Sequence, residues 1–291
     1  MGHGMTDKNT VLELRAGALR LALRADLGGA IAGLWHDGTP VLRSVEPAAL
    51  AAPRQSACFP LVPYSNRLGY KRFRWLGREH TTVANFGDDY PHSLHGSAWT
   101  QPWRVTHSDA HSVEMMVTQR SDAHWPFTFD VMQRFELADD ALTVSLQFTN
   151  IDARTQPVGL GWHPYFPKRS RSRVHAECSG RWESDAATHL PTRRVAQNGI
   201  DGEVRHLNFD NCFDGWRGAA RVRDEALSVS LSSSLPYLVV YTPPDKDYFC
   251  VEPVSHVSNA IHMADPAAHG LVALGAAETL DAWMKIEVAA A

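Results

Sequence analysis

Strict period-two alternation is the feature that most constrains this chain. In ALTVSLQFTN (141–150), Leu142, Val144, Leu146 and Phe148 fall on one face, and Thr143, Ser145, Gln147 and Thr149 on the other. FTFDVMQRFEL repeats the pattern through Phe127, Phe129, Val131, Phe135 and Leu137; SVEMMVTQ and LSVSLSS repeat it more briefly. Successive side chains on a strand point to opposite faces, so each segment reads as a strand with one buried side. The stretch VLELRAGALRLALRADLGGAIAGLWHDGTPVL breaks into short strands at Ala-Gly, Gly-Gly and Asp-Gly turns. Helical signals are few. Residues 45–57 have room for a turn or two of helix, limited by Pro47 and Pro53. The absence of βαβ alternation argues against a parallel α/β sheet. The expectation is an all-β chain: a large antiparallel β-sandwich with few short helices.

Composition narrows the class. With 44% hydrophobic residues, 291 residues are ample for one large core. A net charge of −4 argues against nucleic acid or an anionic membrane surface as the main partner. No apolar run approaches the roughly 20 residues of a membrane helix, and the start MGHGMTDKNT has no secretory apolar region. Residues 1–10 read as disordered or vector-derived, with Met5 as a natural start, and 11–291 as one domain. Cys58, Cys178, Cys212 and Cys250 lie far apart with no CxxC spacing. They read as reduced, mostly buried thiols of a cytoplasmic protein rather than a zinc site. Most of the nine Trp read as core filler.

Five segments concentrate chemistry. GWHPYF (161–166) sets His163 before Pro164, which biases its backbone to the extended region and fixes the imidazole's direction. An unperturbed imidazole, near ~6.5, can deliver a proton at neutral pH. FCVEPV (249–254) sets Glu252 in an apolar run, on the strand face shared by Cys250 and Val254. Burial raises a carboxyl toward neutrality and makes it a competent base. The alternatives are a turn-capping His and a Glu paired with a structural Arg. In SNRLGYKRFRWLG (65–77), Asn66 and Arg67 occupy a loop-like position suited to binding. Arg72 and Arg74 read as a solvated edge strand. In YPHSLHGSAW (90–99), His92 reads as a surface-loop His, and His95 as a hydrogen-bonding His beside Gly96. A metal set of His92, His95, His163 and Glu252 is disfavoured because the tight HxH spacing is missing. In LNFDNCFDGW (207–216), Asp210 is either an acceptor for hydroxyls or an Asx-turn residue, and Asp214, before Gly215, reads as a turn residue.

Together and in this order, the NR…G…F…G segment at 66–77, LHG at 94–96, HPYF at 163–166, FDNCF at 209–213 and VEP at 251–253 resemble the aldose 1-epimerase (galactose mutarotase) family. The tail around Gly275-Ala276, followed by a last strand, is similar to the family's ending. The resemblance implies a sandwich carrying a sugar on one concave sheet. It implies that His163 protonates the ring oxygen and Glu252 takes the anomeric hydroxyl proton. It places Arg67, His95 and Asp210 on sugar hydroxyls, with Asn66 beside Arg67 by adjacency. No metal or cofactor is called for, and no P-loop or dinucleotide fingerprint is present.

GWHPYF followed by PKRSRSR departs from the best-known galactose mutarotases, which are also longer, and this shorter version resembles more the broader bacterial branch that includes hexose-6-phosphate epimerases. A phosphosugar substrate would need Lys71, Arg72, Arg74, Lys168, Arg169, Arg171 or Arg173 at the rim. A non-catalytic carbohydrate-binding module is the alternative outside enzymes. The expected partner is a small-molecule sugar, for a monomer or homodimer.

Overall fold

The computed structural model describes residues 11–291; the reading of residues 1–10 lies outside them. Nearly all regular structure is antiparallel strand. Among the described residues, helix is limited to three-residue 3-10 turns. Two of these, Pro47–Ala49 and Pro53–Gln55, fall in the segment expected to hold a short helix. Each begins at a Pro, whose fixed φ suits a first helical position.

Two large sheets dominate. The nine-stranded sheet runs in the order Arg104–Ser108, Ser112–Gln119, Phe129–Leu137, Ala141–Asn150, Thr279–Ala290, Leu227–Ser233, Ala219–Arg223, Arg173–Ala176, Ile200–Glu203. The alternation settles which way it faces: Leu142, Val144, Leu146 and Phe148 are buried, whereas Gln147 is exposed. Their inward partners across the ladder include Phe129, Val131 and Phe135, and Phe129 and Phe148 bring their rings to 4.7 Å. The inward set includes polar members, among them Gln133. Gln133 donates to Gly29 O and accepts from Trp162 Nε1, so its burial leaves no amide group unpaired.

The eight-stranded sheet carries Pro191–Ala196, Gly180–Ser184, Asp210–Asp214, Tyr237–Tyr241, Tyr248–Val254, Gly161–Trp162 and Pro60–Leu61 in that order, and Tyr165–Pro167 pairs off this path with Tyr248–Val254. One face, with Phe213, Leu238, Val240, Phe249 and Val251, joins the main core against the nine-stranded sheet. The other face carries a separate apolar cluster that includes Cys212, Val239, Cys250, Val254, Tyr165 and Phe59. That second cluster is the floor of the site.

The N-terminal meander of Val11–Ala16, Leu19–Arg24, Ala30–His36 and Thr39–Pro40 bends at the expected turns. Asp37 and Gly38 both take positive φ (46° and 78°), as a two-residue hairpin turn requires. All four cysteines are free and buried.

Candidate active site

Strand register brings the two key side chains together. Gly161 faces Val254 and Tyr165 faces Cys250 on the neighbouring strand. Between them the chain bends at His163-Pro164, and His163 falls opposite Glu252, with Nε2 3.5 Å from Oε1. Period two puts Cys250 and Glu252 on the same face. The adjoining strand then contributes Tyr241 beside Cys250 and Val239 beside Glu252, and the next contributes Asp210 and Cys212. His163 also anchors its backbone N–H on Phe59 O. Its ring stacks between Phe59, at 4.9 Å, and Tyr165, at 4.4 Å, with His95 edge-on at 5.1 Å. Clamped on three sides, the imidazole has little rotational freedom.

A cavity of about 260 Å³ opens above this face. It is lined by all six candidate residues, Asn66, Arg67, His95, His163, Asp210 and Glu252. That size suits one sugar ring. Arg67 donates from Nη2 to Asp210 Oδ2 (3.1 Å) and from Nε to the Tyr90 hydroxyl (2.8 Å). Burial works against the Arg67 charge, but Asp210 and Tyr90 outweigh it and raise its pKa. Asn66 Oδ1 accepts from Arg67 N–H, Arg67 Nη1 and Ser258 Oγ, which assigns the amide's orientation and leaves its NH₂ to the cavity. Asn66 and His95 both take left-handed φ (58° and 62°) and exchange hydrogen bonds: His95 N–H donates to Asn66 O, and Asn66 N–H to His95 Nδ1. His95 Nδ1 is therefore an acceptor, and in the neutral ring Nε2 carries the proton. Burial, with the charges of His163 and Arg67, holds His95 well below the usual imidazole range, so it is a neutral donor. Gly96 follows at φ 73°, where a Cβ would sit 2.0 Å from Val62 O, so this turn admits only glycine.

The electrostatics of the pair differ from the sequence-based expectation of an ordinary imidazole. Burial, assisted by the Arg43 charge, pushes His163 down to about 3. Burial, assisted by the Asp210 charge and opposed by Arg67, pushes Glu252 well above the usual carboxylate range. Each group alone prefers its neutral form. The pair therefore holds one proton, and imidazole with carboxylic acid differs from imidazolium with carboxylate only by an internal transfer. His163 Nδ1 and Glu252 Oε2 are buried with no hydrogen-bond partner. The arrangement can give a proton to one oxygen and take a proton from another while keeping its own total fixed.

Other expectations resolve differently. His92 is not a surface residue. It is buried, accepting from Tyr70 N–H at Nδ1 and donating from Nε2 to Thr188 O. Asp214 closes the strand Asp210–Asp214, where Arg194 binds it through Nε and Nη2 and Trp182 donates to it. The proposed four-ligand metal set does not assemble, because His92 is absent from the cavity lining. Arg72 and Arg74 are exposed on a two-stranded hairpin. Lys168 bonds Pro243 O, Arg169 pairs with Asp224 and Arg173 with Asp201; none of the 168–173 run lines the cavity. Sequence reasoning missed Arg54, Phe59, Phe86, Tyr90, Tyr165, His189, Tyr241 and Tyr248, which line it as well. Tyr248 was accessible to the alternation argument: four residues before Glu252 on one strand, it shares that face. None of the nine Trp is among the lining residues.

Comparison with known proteins identifies the family and the fold. A family model described as aldose 1-epimerase matches residues 10–287. The chain is 35% identical to the uncharacterised protein YphB of Escherichia coli K12, over 96% of this chain and 99% of that one. A crystal structure of a proposed aldose 1-epimerase from Escherichia coli K12 superposes with a TM-score of 0.86 at 32% identity, covering 97% of this chain and 99% of that one. A galactose mutarotase-like protein from Clostridium acetobutylicum superposes at 0.85 with 19% identity, covering 99% and 98%, and shares the fold.

Proposed function

This chain belongs to the aldose 1-epimerase family, and on that premise we propose that it interconverts the α and β anomers of a neutral hexose by acid/base ring opening and reclosure. The supporting observation is the buried His163–Glu252 opposition at 3.5 Å on the floor of a sugar-sized cavity.

Anomer exchange moves two protons about one carbon. The anomeric hydroxyl loses one and the ring oxygen gains one. Glu252 as carboxylate takes the first, and His163 as imidazolium supplies the second. The pair is then carboxylic acid and imidazole, the state burial favours, while the sugar is the open aldehyde. Rotation about C1–C2 presents the carbonyl's other face, and reclosure runs the transfers backwards. The pair ends with the proton it began with, so no exchange with solvent is needed within a turnover. Each well-placed acid or base contributes roughly 10² to 10⁴ in rate. Arg67, His95 Nε2–H and the Asn66 NH₂ supply donors for sugar oxygens, and Asp210 supplies an acceptor.

The cavity's charge favours a free sugar. Of the arginines that line the cavity, Arg67 is already held by Asp210. Of the other arginines only Arg54 lines the wall, with its guanidinium 4.2 Å over the Phe86 ring. The test is polarimetry on freshly dissolved α-anomers across free and phosphorylated hexoses and pentoses. Catalysed mutarotation of a free hexose, faster than of its 6-phosphate, is the expected result. Anomer-selective binding without turnover would overturn the enzymatic reading, and preference for the phosphate would overturn the substrate class.

A further inference from the structure

The proton-handling pair has a third neighbour that proton transfer does not use. The Cys250 thiol, a His163 ring nitrogen and a Glu252 carboxylate oxygen all lie within 4.8 Å of one another. Cys250 and Glu252 stand two residues apart on one strand and face the same way, and His163 comes from the strand pair opposite. All three are buried, Cys250 completely. Glu252 Oε2 and His163 Nδ1 have no partner, so the cluster holds donor atoms that the fold leaves uncommitted. Ring opening asks for one imidazole and one carboxyl; it gives the thiol no task.

Thiolate, imidazole and carboxylate are the three ligand types of tetrahedral Zn²⁺, at bond lengths of roughly 2.0–2.3 Å. Tetrahedral ligands at those lengths stand roughly 3–4 Å apart; His163 and Glu252 already do, at 3.5 Å, and the thiol needs to approach by at most roughly 1–2 Å to close on an ion. We propose that Cys250, His163 and Glu252 form an inhibitory site for a borderline-soft divalent ion of the Zn²⁺ class, its fourth position facing the cavity. Binding expels the thiol and carboxyl protons to solvent, as coordination of such groups does. It occupies both groups that handle protons, so turnover stops while the ion is bound. Hard ions such as Mg²⁺ prefer all-oxygen sets and are excluded by the thiol. The inhibition rests on the epimerase reading; the binding itself does not.

Two measurements separate these layers. Co²⁺ added to the full chain gives a one-to-one complex with a thiolate-to-metal charge-transfer band, and Zn²⁺ removes the band by displacement. Cys250→Ser and Cys250→Ala both lose the band; Cys178→Ala, whose thiol is not part of the three-residue cluster, keeps it. In polarimetry, micromolar Zn²⁺ but not Mg²⁺ inhibits the wild type, and a chelator restores it. Measured against their own metal-free rates, the Cys250 variants need at least about tenfold more Zn²⁺ for the same fractional inhibition. A wild-type protein with no stoichiometric band, or a band unchanged in both Cys250 variants, overturns the site. A band without any metal-free mutarotation upholds the site and sinks the epimerase reading instead.

Discussion

Replacing Glu252 by Gln separates what this carboxyl does for turnover from what it does to stability. Gln copies the shape of the protonated acid but cannot ionise. Glu252 is buried on a floor of Cys212, Val239, Cys250 and Val254, and burial raises its pKa well above 4.5. A carboxyl whose folded pKa exceeds its unfolded value contributes stability that is complete below the unfolded pKa and lost as pH rises through the folded one. Between those two values the unfolded chain has released a proton that the fold retains. Wild type therefore loses about 1.36 kcal/mol per pH unit relative to Glu252→Gln across that window. From pH 5 to pH 7 the gap widens in favour of the variant by up to about 2.7 kcal/mol. Urea unfolding of both proteins at pH 5, 6 and 7 measures it. Over the same range the variant's mutarotation falls by roughly 10² to 10⁴. Stability curves that stay parallel across the three pH values would refute the reasoning, because they would mean that Glu252 ionises in the fold as it does in water. A near wild-type rate would remove it from the chemistry.

His163→Asn lowers kcat by roughly 10² to 10⁴ and leaves KM within a few-fold, since the clamped ring acts on protons rather than on affinity; a change confined to KM in steady-state polarimetry would contradict that role. The pair accepts a second proton only well below the ordinary imidazole range, so kcat/KM stays flat as pH falls through 6.5, and an acid limb at that value would show an unshifted His163. Asp210→Ala removes both a hydroxyl acceptor and the 3.1 Å partner of Arg67. It costs about 1.5–3 kcal/mol of binding, seen as a raised KM and an altered preference among hexose epimers; unchanged preference would count against the contact. Phe129→Ala, deep between the sheets and 4.7 Å from Phe148, destabilises by about 3–5 kcal/mol in urea unfolding while the rate of the folded fraction is kept.

The sandwich was legible because its inward faces are written in period two. The segments around 127–137 and 141–150 fix their own burial without reference to the rest of the chain. Asn66, Arg67, His95, His163, Asp210 and Glu252 were legible as odd residue types in apolar or glycine-rich settings, and they line one cavity. What sequence could not supply was depth. His92 reads from sequence as a surface-loop residue and His95 as a hydrogen-bonding one, but both are buried, one tied into a loop by its two ring nitrogens and the other turned to the cavity. The depressed imidazole of His163 follows from burial between Phe59 and Tyr165 and from the Arg43 charge, and Phe59 and Arg43 come from segments that no local pattern connects to it. Tyr90 was missed for a related reason: it reaches Arg67 from a loop, and a loop has no period from which its direction can be read.

The opposition of His163 and Glu252 is set by antiparallel pairing on both sides of the bend at His163-Pro164, whereas Arg54 reaches the same cavity from a 3-10 turn and Phe86, Tyr90 and His189 from loops. Insertions or deletions between 161 and 165, or between 250 and 254, would turn one member of the couple to the opposite side of its sheet. Edits in the rim segments leave that pairing register in place. A lineage carrying this scaffold can therefore exchange one sugar for another by remodelling its border while the reacting couple is inherited unaltered.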